Sequence, residues 1–548
     1  MEKALQSHVM RRLCVGDILR RSAQKSAKKE ALVYSYKGTV TTRLTFEELN
    51  QKVNRFANAL TELGIKKGDR VAIISHNCSQ YAIYLYALAK MGAWITPLNF
   101  ALKAREITQL INHAEPVAFI VEDELLDNVK ELQQDMPSVK HYIMINLAGE
   151  KQLPERWLDF DQLCSEKYSD AEPYFEVNGD DVMTLMYTSG TEAMPKGVMN
   201  SHSNWHSTFL SQLGDLNAVA WTPDECMIDS IPLYHVAGVN LLMGTLGVQV
   251  KVIMHHEPSP QEILQLVQNE KVTYLVYPPT VFINILKLPI PNIEEFMRKT
   301  FASVKRVILF GAPIPGASMR KLVDILPEIY WMNYYGQSEL TPLGTLLQYP
   351  DVLRKVKESE ERFGGAEPIG QPHNMVEMKI VDENDNDVPP GTVGEMVARS
   401  ASVMLGYYKE EEKTKEIFRG GWLHTGDLAI MDEEHHFYFV DRKKDVVKSG
   451  GENVSTVEVE SVISGHPKVA DVAIVGFSHP RWMEAVTAFV VAKPNESITE
   501  EEIIQFCKEN LAGYKVPKKV IVLDEIPKNP SGKALKKDLR SQFQDIYQ

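Results

Sequence analysis

The chain has 548 residues, 44% of them hydrophobic and 24% charged, so it can bury a large core and divides by length into roughly three to four units. A formal net charge of −14 argues against nucleic acid as the main partner, and any anionic ligand must be held by local donors rather than by the overall field. The five cysteines, Cys14, Cys78, Cys164, Cys226 and Cys507, lie far apart with no C-x-x-C pair or zinc-type spacing, which fits reduced thiols in a cytoplasmic protein.

Met1 to Arg21 carries basic residues without an apolar block, so neither a secretory signal nor a transit peptide is expected. Leu44-Thr-Phe-Glu-Glu-Leu49 predicts a helix start: Thr45 and Glu48 form a capping box, and Leu44 and Leu49 a hydrophobic staple. Phe46, Leu49, Val53, Phe56, Leu60 and Leu63 then share one face, and Gly64 suits the stop. Val71–Ile74, an apolar stretch from Ser79, and Trp94–Leu98 read as strand, helix, strand. Val117–Val121 and His141–Ile145 repeat the theme around a helical segment, which points to a doubly wound α/β body.

Between two apolar runs with strand character lies Tyr187-Thr-Ser-Gly-Thr-Glu-Ala-Met-Pro-Lys-Gly-Val198. Thr188, Ser189 and Thr191 offer hydroxyls, Gly190 lets the backbone approach an anion closely, and Lys196 supplies a point charge, as a phosphate cradle requires. The same residues also make an ordinary hairpin turn, and the lysine is misplaced for a P-loop. His202 and His206 have i,i+4 spacing with no third metal ligand, and read as helix surface or pocket wall. The uncharged run Ser230 to Val250 contains Pro232, Asn240, Gln249 and three glycines, which favours buried soluble structure over a membrane span.

Val272–Tyr277 and Val304–Phe310 are further strands, the second running into Gly311-Ala-Pro-Ile-Pro; Trp331-Met-Asn-Tyr-Tyr-Gly-Gln-Ser-Glu339 is a strand ending in a polar turn. Gly391–Val397 and Gly406-Tyr-Tyr belong to a β-rich section, with Asp382–Asp387 as a solvated turn that lacks the pattern of a calcium loop. The last hundred or so residues have a core of their own, with strands at Val469–Val475 and Ala485–Val491. They also hold a helix capped by Thr499 and stapled by Ile498 and Ile503.

Taken in order, the loop at 187–198, Ile231-Pro-Leu-Tyr-His-Val-Ala-Gly238, Tyr335-Gly-Gln-Ser-Glu339, Gly421-Trp-Leu-His-Thr-Gly-Asp-Leu428, Asp441-Arg-Lys-Lys-Asp445 and Pro527-Lys-Asn-Pro-Ser-Gly-Lys533 resemble the motifs of the adenylate-forming superfamily. That group includes acyl-CoA synthetases, aryl-CoA ligases, firefly-type luciferases and peptide-synthetase adenylation domains. The look is nearest to fatty acyl-CoA synthetases. The chain departs from the usual Thr-Gly in the phosphate loop, where it has Glu192-Ala193; like-charge repulsion predicts that Glu192 points away from the phosphates or meets them through Mg²⁺ or water.

The resemblance implies an N-terminal body, 1–443, with doubly wound sheets and a β-rich section, and a small mobile α+β C-terminal domain, 444–548, hinged at Lys444. It implies two steps: carboxylate and ATP give acyl-AMP and pyrophosphate, and CoA then displaces AMP. Thr188 to Thr191 and Lys196 would hold the polyphosphate. Gly311, Ala312 and Pro313, with Asn333, Tyr334, Tyr335 and Gly336, would enclose the adenine. Ser338 would touch the α-phosphate, and Glu339 with Thr191 would hold Mg²⁺. Asp427 and Arg442 would take the ribose, His235 would border the carboxylate pocket, and Lys533 would drive adenylation. Lys448, Gly450 and Gly451 would line the thiol path.

A fatty acid of medium or long chain is the expected substrate, since Val236, Ala237, Gly238, Val239 and Leu343 are small or apolar. An aryl or short branched acid, transfer to a carrier protein, a luciferase-like oxygenase and a non-catalytic paralogue are the alternatives. No transmembrane segment is expected; the reading leaves room for peripheral membrane contact and a homodimer.

Overall fold

The computed structural model describes residues 12–188, 195–215, 222, 224–257, 259–286, 288–311, 316–349, 351–449, 452–528 and 534–547. Two large sheets carry most of the chain. The first has eight strands in the spatial order Gly406–Tyr407, Lys196–Ser201, Val182–Thr188, Trp94–Leu98, Arg70–Ile74, Ala118–Glu122, His141–Ile145, Leu158–Asp159. From Val182–Thr188 onward its neighbours pair in parallel. The chain passes from Arg70–Ile74 to Trp94–Leu98 on one side and then to Ala118–Glu122 on the other, so the winding reverses at Arg70–Ile74.

The second sheet has a parallel half made of Tyr330–Tyr335, Arg306–Phe310, Tyr274–Tyr277, Cys226–Asp229, Lys251–His255 and Glu30–Tyr36, and an antiparallel half that contains Trp422–Met431 and Phe437–Arg442. Its winding reverses at Cys226–Asp229, flanked by Lys251–His255 and Tyr274–Tyr277. Ligands in such sheets bind beyond the carboxyl ends of strands at the reversal. The two reversal points face each other here: Asn77, just past Arg70–Ile74, donates its amide to Ile231 O at 2.8 Å and accepts from Leu233 N at 2.9 Å, just past Cys226–Asp229.

The helix Phe46–Glu62 has the predicted capping box, Thr45 Oγ1 accepting from Glu48 N and Glu48 bonding back to Thr45 N at 2.8 Å. Leu44, Phe46, Leu49, Val53, Phe56 and Leu60 are buried in one core cluster that spans both sheets. The amphipathic pattern is therefore spent on the contact between the layers, where fully burying each large side chain contributes about 1.5–3 kcal/mol. Residues 447–547 hold a separate sheet of five strands, in which Val469–His479 and Met483–Ala492 pair along their whole length. The helix Glu500–Asn510 packs there, with Thr499 accepting from Glu502 N, and Ile498 and Ile503 buried in that sheet's own core.

Several expectations need correction. The segment between Ala118–Glu122 and His141–Ile145 holds two short 3₁₀ turns, Asp123–Asn128 and Gln133–Asp135, and no α-helix. Gly406–Tyr407 leaves the β-rich section and closes the edge of the first sheet against Lys196–Ser201. His202 is neither helix surface nor pocket wall: it is fully buried and its Nδ1 accepts from Val15 N at 3.2 Å. Among the described residues no helix is long and apolar enough to cross a membrane, and Ser230 to Val250 contributes the buried twelve-residue helix Val236–Gly247.

Candidate active site

Tyr330–Tyr335 and Arg306–Phe310 are adjacent parallel strands, and their carboxyl ends deliver the turn Gly336–Glu339 and Gly311 to one edge of the sheet. Gly336 must be glycine, because a Cβ there would stand 1.5 Å from Pro342 O. The turn therefore lies flat on the Pro342 backbone, and each residue of it reaches a different neighbour. Tyr335 OH donates to Asp427 Oδ2 at 2.6 Å, and Gln337 Nε2 reaches Thr425 O at 3.5 Å. Ser338 O accepts from Asn200 Nδ2 at 3.3 Å, and Glu339 Oε1 accepts from Tyr407 OH at 2.8 Å.

Those partners come from three other places in the chain. Asp427 and Arg442 are directly opposed across antiparallel strands, with Arg442 Nε 3.5 Å from Asp427 Oδ1. Thr188 and Lys196 are the paired residues that close the hairpin between Val182–Thr188 and Lys196–Ser201. Lys196 Nζ lies 5.0 Å over the Tyr407 ring, so Tyr407 joins the hairpin lysine to Glu339. Asn204 Nδ2 donates to Ala401 O and Val403 O at 2.8 and 2.9 Å, which fixes the segment leading to Tyr407. Tyr407, Asn77, Asn200 and Asn204 were not singled out from sequence.

Asn333 is a partial departure from expectation. Its buried amide donates to Pro368 O at 3.3 Å and Glu367 Oε1 at 3.2 Å, so its side chain braces the strand Glu367–Pro372, next but one in the sheet, rather than projecting freely toward a base. Tyr334 alternates to the opposite face from Tyr335, with its ring edge-on to His373 at 5.2 Å. Gly311 adopts φ +78°, the left-handed turn that glycine takes without strain.

His235 precedes the helix Val236–Gly247, and burial of its ring lowers its pKa to about 4, so it is neutral near pH 7. The segment before it is held by the Asn77 clamp. Gly238 is small for another reason than pocket room: a Cβ there would meet Ile231 O at 2.8 Å and Pro232 O at 2.9 Å. Val236, Val239 and Leu343 are buried, the first two within the main core, and Ala237 is half-buried against that core.

Lys444 lies in the turn that follows Arg442, where Asp445 N and Val446 N both return to Arg442 O, and partial desolvation with Arg442 nearby pulls its pKa below that of an ordinary lysine. Lys448 is exposed on the short strand Val447–Ser449. Ser189, Gly190, Thr191, Glu192, Ala193, Ala312, Pro313, Gly450, Gly451 and Lys533 lie outside the described residues, as does the expectation for the direction of Glu192. The segment carrying Lys533 is bounded by an antiparallel bridge between Lys528 and Ala534.

Three desolvated histidines, the buried His202 and the half-buried His206 and His235, make the fold sensitive to acid. Burial lowers His202 to about 3, and His206 and His235 to about 4, against 6.5 for the free side chain. At these three positions the unfolded chain therefore binds more protons than the native one between about pH 6.5 and 4, and their contribution to stability falls as pH drops through that window. Groups of the other sign oppose this: His76, raised by Glu122, and Asp161, Asp229, Asp441 and Glu460, whose carboxyl pKa values are raised by burial. Between pH 7 and pH 5 the urea midpoint of His206→Asn should lose less, or gain more, than that of wild type; an identical pH response in the two proteins would contradict the assignment.

With this geometry in hand, the chain can be compared with known proteins. The AMP-binding enzyme family matches residues 19–408, and the AMP-binding enzyme C-terminal domain matches residues 458–533. The chain belongs to the AMP-binding enzyme family, whose adenylate-forming fold is the one described above. It is an AMP-forming acyl-CoA synthetase, with ATP and CoA as co-substrates of a carboxylic acid.

Among its relatives, a feruloyl-CoA synthase of Amycolatopsis is 32% identical over 92% of this chain and 94% of its own length. A long-chain-fatty-acid–CoA ligase, FadD13 of Mycobacterium tuberculosis, is 32% identical over 96% of this chain and 98% of its own. The ATP-bound structure of MatB from Rhodopseudomonas palustris superposes with a TM-score of 0.83 at 26% identity, covering 97% of this chain and all of that one.

Proposed function

We propose that the chain activates a fatty acid of medium or long chain in the cytoplasm, with the body 1–443 adenylating it and the domain 444–548 turning about Lys444 between the two steps. The observation that carries the division of labour is the turn Tyr335–Glu339, which touches Asp427 at one end and Tyr407 beside Lys196 at the other. Asp427 offers a carboxylate to the two ribose hydroxyls while Arg442 brackets the sugar and the α-phosphate. Thr188, Lys196 and the loop between them receive the β- and γ-phosphates.

A carboxylate is a poor electrophile, and joining it to AMP as a mixed anhydride gives its carbonyl a good leaving group. Lys533 neutralises charge shared between the attacking carboxylate and the α-phosphate. His235, neutral and beside the carboxylate pocket, adds no charge that would compete with that lysine for the substrate. Glu339 fits a Mg²⁺ ion, being a half-buried carboxylate oriented through one oxygen by Tyr407, as a hard cation prefers; Thr191 would join it. Bound there, the ion would offset charge on the departing pyrophosphate.

Tyr407→Phe removes a hydrogen bond to a carboxylate worth about 1.5–3 kcal/mol, so pyrophosphate release should fall by about tenfold or more with the fold intact. A rate equal to wild type would remove Tyr407 from the site.

For the substrate, each methylene buried in a pocket contributes about 0.8 kcal/mol, or roughly fourfold in kcat/KM. A panel of acids scored by pyrophosphate release and then by CoA-thioester mass should show such a ladder up to a chain length of about eight carbons or more. A flat ladder with feruloyl-type or succinylbenzoyl-type acids preferred would replace the fatty-acid reading by an aryl one.

A further inference from the structure

The facing carboxyl ends of the two sheets hold a second cluster, made by His76, Glu122, Glu124 and His256, each offering one donor atom within 4.8 Å of all the others. His76 follows the strand Arg70–Ile74, Glu122 ends Ala118–Glu122, Glu124 begins the next 3₁₀ turn, and His256 follows Lys251–His255 of the other sheet. Two imidazole nitrogens converge on one oxygen: Glu122 Oε1 is 2.9 Å from His256 Nε2 and 3.1 Å from His76 Nδ1. Glu124 Oε2 lies 3.9 Å from His256 Nε2.

We propose that these four side chains form a transition-metal site that takes Zn²⁺ or an ion of its class and ties the two sheets together. Two imidazoles and carboxylates are the donor set of tetrahedral zinc, and donors at about 2.0–2.1 Å from such an ion stand about 3.3 Å apart, close to the spacings found. The ligands are held from behind. Glu122 Oε2 accepts from Ser75 Oγ at 2.8 Å and from His76 N at 2.7 Å and lies 3.2 Å from His76 Nδ1, while Oε1 is the oxygen shared by both histidines. Glu124 Oε1 accepts from Tyr36 OH at 2.6 Å and Lys37 Nζ at 2.7 Å, leaving Oε2 turned toward His256. Such outer partners fix ligand orientation.

The His76 ring is stacked between Phe100 at 4.1 Å and His256 at 4.3 Å, and His76, Glu122 and His256 are buried, while Glu124 is exposed and gives an ion a way in. Glu257, 3.6 Å from His76 Nε2, adds a further negative charge, and Lys37 offsets only one of the three carboxylates. Another such cluster, Asp432, Glu434 and His436, differs because the Lys355 ammonium already lies 2.6 and 3.0 Å from its carboxylates.

The site adjoins the segment that precedes His235 through Asn77 and Phe100. Asn77, next to His76, is the clamp on Ile231 and Leu233, and Phe100 also touches Tyr234 at 5.5 Å. An ion bound to His76 and His256 would fix the distance between the sheet that carries Asn77 and the sheet it clamps.

The test uses the full-length chain freed of metal by chelation, with excess Mg²⁺ to fill hard-oxygen sites, titrated with Co²⁺ and then Zn²⁺. One Co²⁺ per chain with the intense visible band of a four-coordinate ion, displaced by one equivalent of Zn²⁺, is the expected result. His256→Gln, whose amide can still donate to Glu122, and His76→Gln should weaken Zn²⁺ binding at least about 100-fold, and Glu124→Gln by roughly 10-fold. Glu124 is exposed, so its variant decides the matter if the buried ones do not fold. A weak six-coordinate spectrum, no saturation below about 100 μM, or affinity unchanged in every folded variant would overturn the proposal and leave a hydrogen-bonded His–Glu cluster only.

Discussion

Replacing Lys533 with alanine is expected to lower pyrophosphate release by at least about 10²–10³-fold while conversion of supplied acyl-adenylate and CoA to thioester stays within about fivefold of wild type. On the proposed mechanism the charge it carries is needed only while the carboxylate oxygen attacks the α-phosphate; in the second step the CoA sulfur attacks the acyl carbonyl carbon, the acyl C–O bond breaks, and AMP leaves with the bridging oxygen, its charge balanced by Arg442. Loss of folding does not stand in the way. The segment is tied at its base by the Lys528–Ala534 bridge, by Leu535 N donating to Pro527 O at 2.8 Å, and by Lys528 Nζ at 2.6 Å from Asp471. Beyond it, Lys536 bonds Thr456 Oγ1 at 2.6 Å and Glu460 at 2.8 Å. Gly451→Leu is the opposite case: it should adenylate normally and fail in transfer, because a side chain there would close the thiol path. Stopped-flow quantification of the two half-reactions separates these outcomes, and equal loss of both steps in both variants would rule out alternation of the C-terminal domain about Lys444.

Local chemistry made much of this legible in advance. The Thr45–Glu48 box, the Ile498–Ile503 staple and the alternation of apolar strands with helices are each encoded within a few residues, and each is found where the sequence puts it. The strand ends that lead into Gly311 and Gly336 were equally readable, since glycine interrupts apolar runs there. What sequence could not carry is long-range pairing. Gly406–Tyr407 joins a hairpin from the other end of the body, and nothing within its own neighbourhood distinguishes that partner from the adjacent β-rich strands. His202 read as helix surface or pocket wall, but its surroundings are set by Val15, far away in sequence. Gly238 looked like pocket room because apolar smallness has two causes, and only geometry shows that backbone carbonyls occupy the space. The cluster of His76, Glu122 and His256 was invisible for the same reason: its side chains stand at or just beyond the ends of three strands of two sheets.

Asp427→Ala is expected to weaken nucleotide binding strongly in both half-reactions, because on the proposed mechanism AMP is held from the first step to the last. Two ribose hydroxyls donating to one carboxylate are charge-assisted bonds worth about 1.5–3 kcal/mol each, so affinity should fall by about 10²–10⁴-fold. Asp427 also has a structural duty, since it accepts from Tyr335 OH at 2.6 Å and faces Arg442 at 3.5 Å. Alanine would leave that phenol and that guanidinium without their partner, and part of its effect would be loss of stability. Asp427→Asn separates the two duties. Its amide oxygen still accepts from Tyr335, so the melting midpoint should stay near that of wild type, but one carbonyl oxygen without charge cannot serve Tyr335 and both ribose hydroxyls together. Calorimetric titration of AMP into folded Asp427→Asn should therefore show binding weakened by at least about 10-fold, with both half-reactions slowed in proportion when nucleotide is limiting. If Asp427→Asn bound AMP as tightly as wild type, the carboxylate would be a brace for Tyr335 and Arg442 alone, and the ribose would have to be held elsewhere.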